Sequence, residues 1–228
     1  MKNIFLLFTF LITLTSFSQN NRGGNSLSDG FKITSGTMKG HPYLLTDFVN
    51  GYAVDLNGNL TEQKLLNYDI YANNLTFKKV NATEDIMVVS TDTYSGFILS
   101  DANKNDYLFT KIEGSEFAKP KKTTKFYQIA KAPSKNVIIE SVKFLKDPNA
   151  SGWSSSSLST KRAEFELKTY TYVQNKNGLF VKVKPSKSSI LKVFKDKKKE
   201  ITAFISERGL TIENAQDLVP IVDYYLSL

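Results

Sequence analysis

Short apolar runs separated by turn signals make up most of this chain between residues 31 and 184. Two of the turn signals are the dipeptides Asn57-Gly58 and Asn177-Gly178. Asn-Gly favours the two positive φ angles of a type I′ turn, so each dipeptide predicts a tight β-hairpin. A third hairpin is predicted at residues 72–74, where Ala-Asn-Asn separates two apolar runs. Successive hairpins favour an antiparallel β-meander, either a sheet or a partly open barrel.

The strands follow from the positions of these turns and from alternating apolar residues. The three hairpins are expected to pair residues 53–56 with 60–63, 68–71 with 75–80, and 170–174 with 179–184. Further strands are predicted at residues 86–89, 97–99, 107–109, 126–130 and 137–145.

The hydrophobic period changes after Pro185 and becomes helical. A first short helix is expected to begin at Ser188 or Ser189, and a second to begin at Asp196 and end at Gly209. A third apolar stripe consists of Leu218, Ile221, Val222 and Tyr225. These amphipathic helices need an apolar partner, so the predicted class is α+β, mainly β: an antiparallel β-meander with two or three C-terminal helices packed on it.

The amino-terminal residues predict export. Residues 1–18 have the basic start, short apolar run and small terminal residues of a signal peptide, and a flexible polar segment follows at 19–30. No cysteine follows the apolar run, so a lipoprotein is not expected, and no later run is long enough for a transmembrane helix. The expected protein is therefore periplasmic, outer-membrane-associated or secreted, with a β-rich region at 31–184 and a helical region at 185–228.

Two residue counts restrict the chemistry available to the chain. It contains no cysteine, which excludes disulfides, thiol nucleophiles and zinc-cysteine sites. It contains one histidine, His41, which precedes a proline and is interpreted as a loop or strand-edge residue. Motifs for nucleotide, phosphate or zinc binding are also missing. The sequence therefore nominates no catalytic, cofactor-binding or metal-binding residue.

Several segments together resemble a known group of proteins. They are the signal ending Ser-Phe-Ser-Gln at 16–19, Gly-His-Pro-Tyr-Leu at 40–44 with Asp-Phe at 47–48, Leu-Asn-Tyr-Asp-Ile-Tyr at 66–71, and the stretch from 194 to Tyr225. This pattern is similar to exported Bacteroidetes proteins of unknown function. The resemblance implies an envelope or secreted setting, and it brings no activity or functional residue with it.

Three local features have a functional interpretation beside a simpler one. Residues 101–106 resemble the start of a calcium loop, but Asp106 and Ile112 replace its glycine and glutamate, so a strand-connecting turn is favoured. Trp153 lies in a serine-rich segment expected to be an exposed loop, and it is interpreted as packed on the sheet. Basic runs at 119–125 and 195–199 are interpreted as solvated surface, with attraction to anionic polymers or lipid head groups as the alternative.

The leading functional hypothesis is a non-enzymatic exported binding or envelope-accessory protein. The chain has a net charge of +8, which permits an anionic envelope polymer as partner. A nucleic-acid partner is not expected, because aromatic residues do not interleave with the lysines. Two alternatives stay open: a carrier of an apolar ligand in a helix-capped half-barrel, and a glycan-directed hydrolase that uses a carboxylate pair the sequence does not reveal.

Overall fold

The protein folds into a mostly antiparallel open β-sheet with three C-terminal helices packed on it, which confirms the predicted fold class. The computed structural model describes residues 38–79, 86–146 and 162–228. The predicted signal peptide, the polar segment at 19–30 and Trp153 lie outside the described residues.

Eleven strands form the described part of the sheet. They are β1 (Met38–Lys39), β2 (Val49–Asp55), β3 (Lys64–Asp69), β4 (Asn74–Lys78), β5 (Ile86–Val88), β6 (Tyr94–Ser100), β7 (Asp106–Ile112), β8 (Lys125–Lys131), β9 (Ser134–Lys146), β10 (Ala163–Gln174) and β11 (Phe180–Val183). The strand order is β1-β10-β9-β8-β7-β6-β2-β3-β4-β5, and β11 pairs with β10. The pairing of β1 with β10 is parallel, and the other strand pairs are antiparallel.

The three predicted hairpins are confirmed, but the Asn-Gly turns are not of type I′. Gly58 and Gly178 have positive φ angles of 87° and 75°, whereas the asparagines before them do not. In each turn the glycine N–H donates to the carbonyl three residues earlier, at Asp55 or Asn175. This is the longer hairpin turn in which one left-handed residue follows a type I turn. Residues 60–63, predicted as a strand, form only an isolated bridge from Leu60 to Val54.

The sheet curls strongly around an aromatic core. Tyr68 in β3 packs its ring 6.2 Å from that of Phe126 in β8, although β2, β6 and β7 separate these strands in the sheet order. Phe97 and Phe109 stack between them with ring centroids 4.4 Å apart. Side chains therefore fill the inside of this curl.

The chain between β1 and β2 joins distant parts of the sheet. Tyr43 forms a bridge with Asp69 at the end of β3, while Lys143 of β9 donates hydrogen bonds to the carbonyl oxygens of His41 and Tyr43 at 2.8 and 2.6 Å. His41 lies in an irregular segment between strands, as predicted.

The helices are α1 (Lys187–Val193), α2 (Lys198–Glu207) and α3 (Val219–Ser227). Their apolar stripes pack on one face of β8–β11, where Ile201, Leu218 and Ile221 are fully buried beside Val137 and Val173. Gly209, predicted to terminate α2, follows its last turn with a φ of 58°.

Two predicted helix starts are wrong. Ser186, not Ser188 or Ser189, caps α1, because its hydroxyl accepts a hydrogen bond from the Ser189 N–H. Asp196 does not cap α2; its carboxylate accepts hydrogen bonds from the Tyr225 hydroxyl instead, and α2 begins two residues later. A neighbouring serine therefore takes over the capping role at α1, whereas no side chain caps the first turn of α2.

Candidate functional site

Among the described residues, the sheet face opposite the helices carries a cluster in which a partly buried ion pair lies among aromatic side chains. Side chains alternate along a strand, so Val137 and Val173 face the helices while Ile138 and Tyr172 point to the other side. We call that other side of β8–β11 the outer face. The loop at residues 113–124 folds over it, and Phe117 from this loop is 2% exposed against Tyr127 and Tyr172.

A half-buried ion pair lies at the centre of the outer face. The Lys121 Nζ donates to Glu140 Oε2 at 2.7 Å and to the hydroxyls of Tyr127 and Tyr172, both at 2.9 Å. The Tyr172 hydroxyl donates to the same carboxylate oxygen at 2.7 Å. Lys121 has three ammonium protons, and these three contacts use them all. Lys121 therefore holds the loop against the sheet and neutralises Glu140.

Aromatic rings surround the same ammonium group. The Lys121 Nζ is 4.3 Å from the ring centroids of Phe117 and Tyr172 and 4.8 Å from that of Tyr127. A cation within about 6 Å of a ring face is stabilised by the ring quadrupole. This cage adds to the ion pair and offsets part of the cost of burying the ammonium group.

Burial perturbs the titration of these groups. It lowers the pKa of Lys121, an effect that Glu140 partly opposes and that the positive charges of Lys125 and Lys182 reinforce. Burial raises the pKa of Tyr127 and of Tyr172 well above the usual range, and Glu140 adds to this through its charge at Tyr127 and through its hydrogen bond and charge at Tyr172. Both tyrosines therefore stay protonated and serve as hydrogen-bond partners rather than as bases.

Three further lysines surround the neutral centre. Lys125 in β8 lies 3.9 Å from Glu140 Oε1, which is long for an ion pair. Lys182 in β11 lies over the Tyr170 ring at 3.4 Å, and Lys168 in β10 lies over the Phe144 ring at 5.0 Å. We call Lys121, Lys125, Lys168 and Lys182 together the lysine face.

The lysine face carries a net positive charge, because Glu140 is the one carboxylate among the described residues that pairs with any of its four lysines. Towards the start of β10 the face ends at two carboxylates, Glu166 and Glu164, and Glu164 pairs with Lys39 at 3.0 Å. The part of the outer face beside β8, β10 and β11 is thus cationic, and the first residues of β10, next to Lys39, are of mixed charge.

The features nominated from the sequence have mostly structural roles. Asp101 lies in the β6–β7 turn, where its Oδ1 accepts hydrogen bonds from the backbone N–H groups of Asn103 and Asn105 at 2.8 and 2.9 Å. The predicted strand-connecting turn is therefore present. The carboxylate of Asp55 and the side-chain carbonyl of Asn175 have the same function in the two Asn-Gly turns. Among the described residues no group of three His, Asp or Glu side chains is close enough to hold a metal ion.

The basic run at 119–125 was predicted to be solvated surface. This is correct for Lys119 and Lys122 and wrong for Lys121. The first two side chains are exposed, while Lys121 turns inward because its backbone N–H is fixed by the Gly114 carbonyl at 2.9 Å. Glu140 was not predicted from the sequence either, where its only signal is a carboxylate that directly follows the apolar run at 137–139.

A cavity of about 390 Å³ lies at the margin of the aromatic core, lined by Leu66, Phe77 and Tyr94 and by polar side chains such as Lys64 and Glu62. A second cavity lies between the β8–β9 turn and α3 and has a volume of about 510 Å³. Neither cavity contacts the lysine face.

Comparison with known proteins assigns no family. The chain matches no protein-family model, no curated protein and no solved structure. None of the helices in the described ranges combines the length and the apolar character needed to cross a bilayer.

Proposed function

We propose that this chain is an exported, non-enzymatic binding protein that holds an acidic envelope polymer on its lysine face. The observation that carries the proposal is the arrangement of Lys125, Lys168 and Lys182 around an ion pair that is already neutral. Export rests on the amino-terminal sequence pattern.

The spacing of the three lysines favours a polymer over a single small anion. Lys125 and Lys168 lie on strands two positions apart in the sheet, which corresponds to about 10 Å. Lys182 pairs with Tyr172, four residues along β10 from Lys168, a distance of roughly 13 Å. Lysine side chains that begin so far apart on the sheet contact separate anionic groups. A chain with repeated carboxylates supplies such groups.

The aromatic residues of the face are less suited to nucleic acid. Single-stranded nucleic acid needs open aromatic rings on which bases stack. Here Lys182 covers the Tyr170 ring and Lys168 lies over Phe144, so these rings support the lysines instead. The ammonium groups are presented as separate point charges, which suits carboxylates of varied geometry.

The direct test is the affinity of the purified protein for polygalacturonate, an acidic polysaccharide, with dextran as the neutral comparison. The triple variant Lys125→Gln/Lys168→Gln/Lys182→Gln is expected to bind polygalacturonate between about 3-fold and 100-fold more weakly, because each exposed ion pair contributes roughly 0.2–1 kcal/mol. Binding to polygalacturonate should also weaken as salt is added.

The matched control is Lys104→Gln/Lys135→Gln/Lys192→Gln, which removes the same charge from exposed positions elsewhere. This control should retain the wild-type affinity. An equal loss in both triple variants would show that only net charge matters and would overturn the proposal. Preferential binding to vesicles of anionic lipid, or cleavage of the polysaccharide, would contradict it in favour of a membrane-binding protein or a hydrolase.

A second candidate is a carrier of an apolar ligand, and the cavity of about 390 Å³ beside Leu66 and Phe77 favours it. That volume lies within the range of about 300–1,000 Å³ usual for small-molecule sites. Native mass spectrometry of the protein as purified tests this candidate: a bound apolar molecule supports it, and an unliganded mass under conditions that preserve such complexes contradicts it.

A further inference from the structure

The cavity between the β8–β9 turn and α3 contains a carboxylate held in a fixed orientation. The Oδ1 atom of Asp223 accepts hydrogen bonds from the Ser134 hydroxyl at 2.7 Å and from the Asn136 side-chain amide at 2.8 Å. No described residue donates a hydrogen bond to the other oxygen, Oδ2. Asp223 lines a cavity of about 510 Å³, so this oxygen is available to a ligand there.

The remaining walls of the cavity define what such a ligand must look like. Pro133, Val219 and Pro220 provide apolar surface, and Lys131 contributes the one basic side chain in the lining. A carboxylate with an uncommitted oxygen favours an ammonium group as partner. Lys131 disfavours a second positive charge on the ligand and attracts a carboxylate.

We propose that this cavity binds an aliphatic α-amino acid, with its ammonium group on Asp223, its carboxylate towards Lys131 and its side chain against the two prolines and Val219. The site is separate from the lysine face and does not depend on the function proposed above. The hydrogen bonds from Ser134 and Asn136 are what pre-organise it, since they prevent the carboxylate from rotating away.

Three related probes separate the contributions of the two charged groups. L-leucine has both charges, 3-methylbutan-1-amine lacks the carboxylate, and 4-methylpentanoate lacks the ammonium group. Titration calorimetry with the full chain should rank leucine first, the amine second and the acid last.

Asp223→Asn is the informative variant, because its side-chain oxygen can still accept from Ser134 and Asn136 while its charge is lost. We expect leucine and the amine to bind it about 10- to 100-fold more weakly, the loss typical of a charged hydrogen bond. Lys131→Gln should weaken leucine but leave the amine unchanged. Asp92→Asn removes an exposed aspartate from the turn between β5 and β6 and should change neither.

The proposal fails if leucine does not bind the wild-type chain saturably at millimolar concentration. It also fails if 4-methylpentanoate binds as well as leucine, or if Asp223→Asn binds leucine like the wild type. A thermal midpoint of Asp223→Asn close to that of the wild type shows that the fold is intact. If Asp223→Asn is destabilised, the charge-retaining variant Asp223→Glu replaces it as the test, and rescue of leucine binding in that variant supports the proposal.

Discussion

Replacing Lys121 by methionine removes the ammonium group at the centre of the lysine face but keeps an unbranched apolar side chain. The Glu140 carboxylate, on a side chain that is 10% exposed, would lose a partner at 2.7 Å. Removing one member of a buried ion pair costs about 3–5 kcal/mol. The Lys121 side chain is 24% exposed, and Lys125 lies 3.9 Å from the other oxygen of Glu140. We therefore expect the lower end of that range, about 3 kcal/mol.

Thermal unfolding followed by calorimetry measures this effect. A loss of about 3 kcal/mol lowers the midpoint by roughly 6–12 °C in a chain of this size. Lys122→Met is the matched control, since the adjacent side chain is exposed and its replacement should change stability by no more than about 0.5 kcal/mol.

The double variant Lys121→Met/Glu140→Gln completes the thermodynamic cycle. It should be more stable than the sum of the two single changes implies, because it leaves no unpaired charge behind. A Lys121→Met midpoint within about 2 °C of the wild type, or strictly additive changes, would refute the reasoning.

Three further predictions concern the turns, a buried acid and the helices. Lys104 has a φ of 64°, so Lys104→Gly should stabilise the chain by about 1 kcal/mol in chemical denaturation, and an unchanged midpoint would contradict this. Burial raises the pKa of the Asp69 carboxyl in the folded state. The protonated carboxyl therefore stabilises the fold fully at pH values below the unfolded-state pKa, and this stabilisation is lost as the pH rises through the folded-state pKa. Asp69→Asn should therefore be more stable than the wild type at neutral pH and lose this advantage in acid; unfolding curves of equal pH dependence would contradict it. Deleting residues 185–228 exposes side chains that each contribute roughly 1.5–3 kcal/mol, so the truncated chain should aggregate in size-exclusion chromatography, and a soluble chain with the wild-type midpoint would show that the helices are independent.

Features set by neighbouring residues could be predicted from the sequence. The hairpins at Gly58 and Gly178 were found because a positive φ angle is a local preference of glycine. The turn type was predicted wrongly. The side chains of Asp55 and Asn175 favour the longer turn because they accept hydrogen bonds from backbone N–H groups within it. The cap of α1 was misplaced because three serines within four residues satisfy the same pattern, and the hydroxyl that accepts a helical N–H belongs to Ser186.

The lysine face could not be predicted, because its members are distant in the sequence. Lys121 and Tyr172 are 51 residues apart, and they meet only because β8, β9 and β10 are neighbours in the sheet. Alternation in β9 and β10 shows which residues share a face, but it does not give the order of the strands. The basic run at 119–125 was visible from the start, yet its inward-facing lysine depends on the fold of the loop.

The most direct test of the central claim is a map of the surface that an acidic polymer contacts. Backbone amide resonances of the isotope-labelled protein, followed by NMR during titration with short oligogalacturonates, provide it. The account predicts that the largest shifts cluster at Lys125, Lys168 and Lys182 and decrease as salt is added. Shifts that concentrate instead on the basic run at 195–199, or that spread evenly over the basic residues, would contradict the assignment of binding to the lysine face.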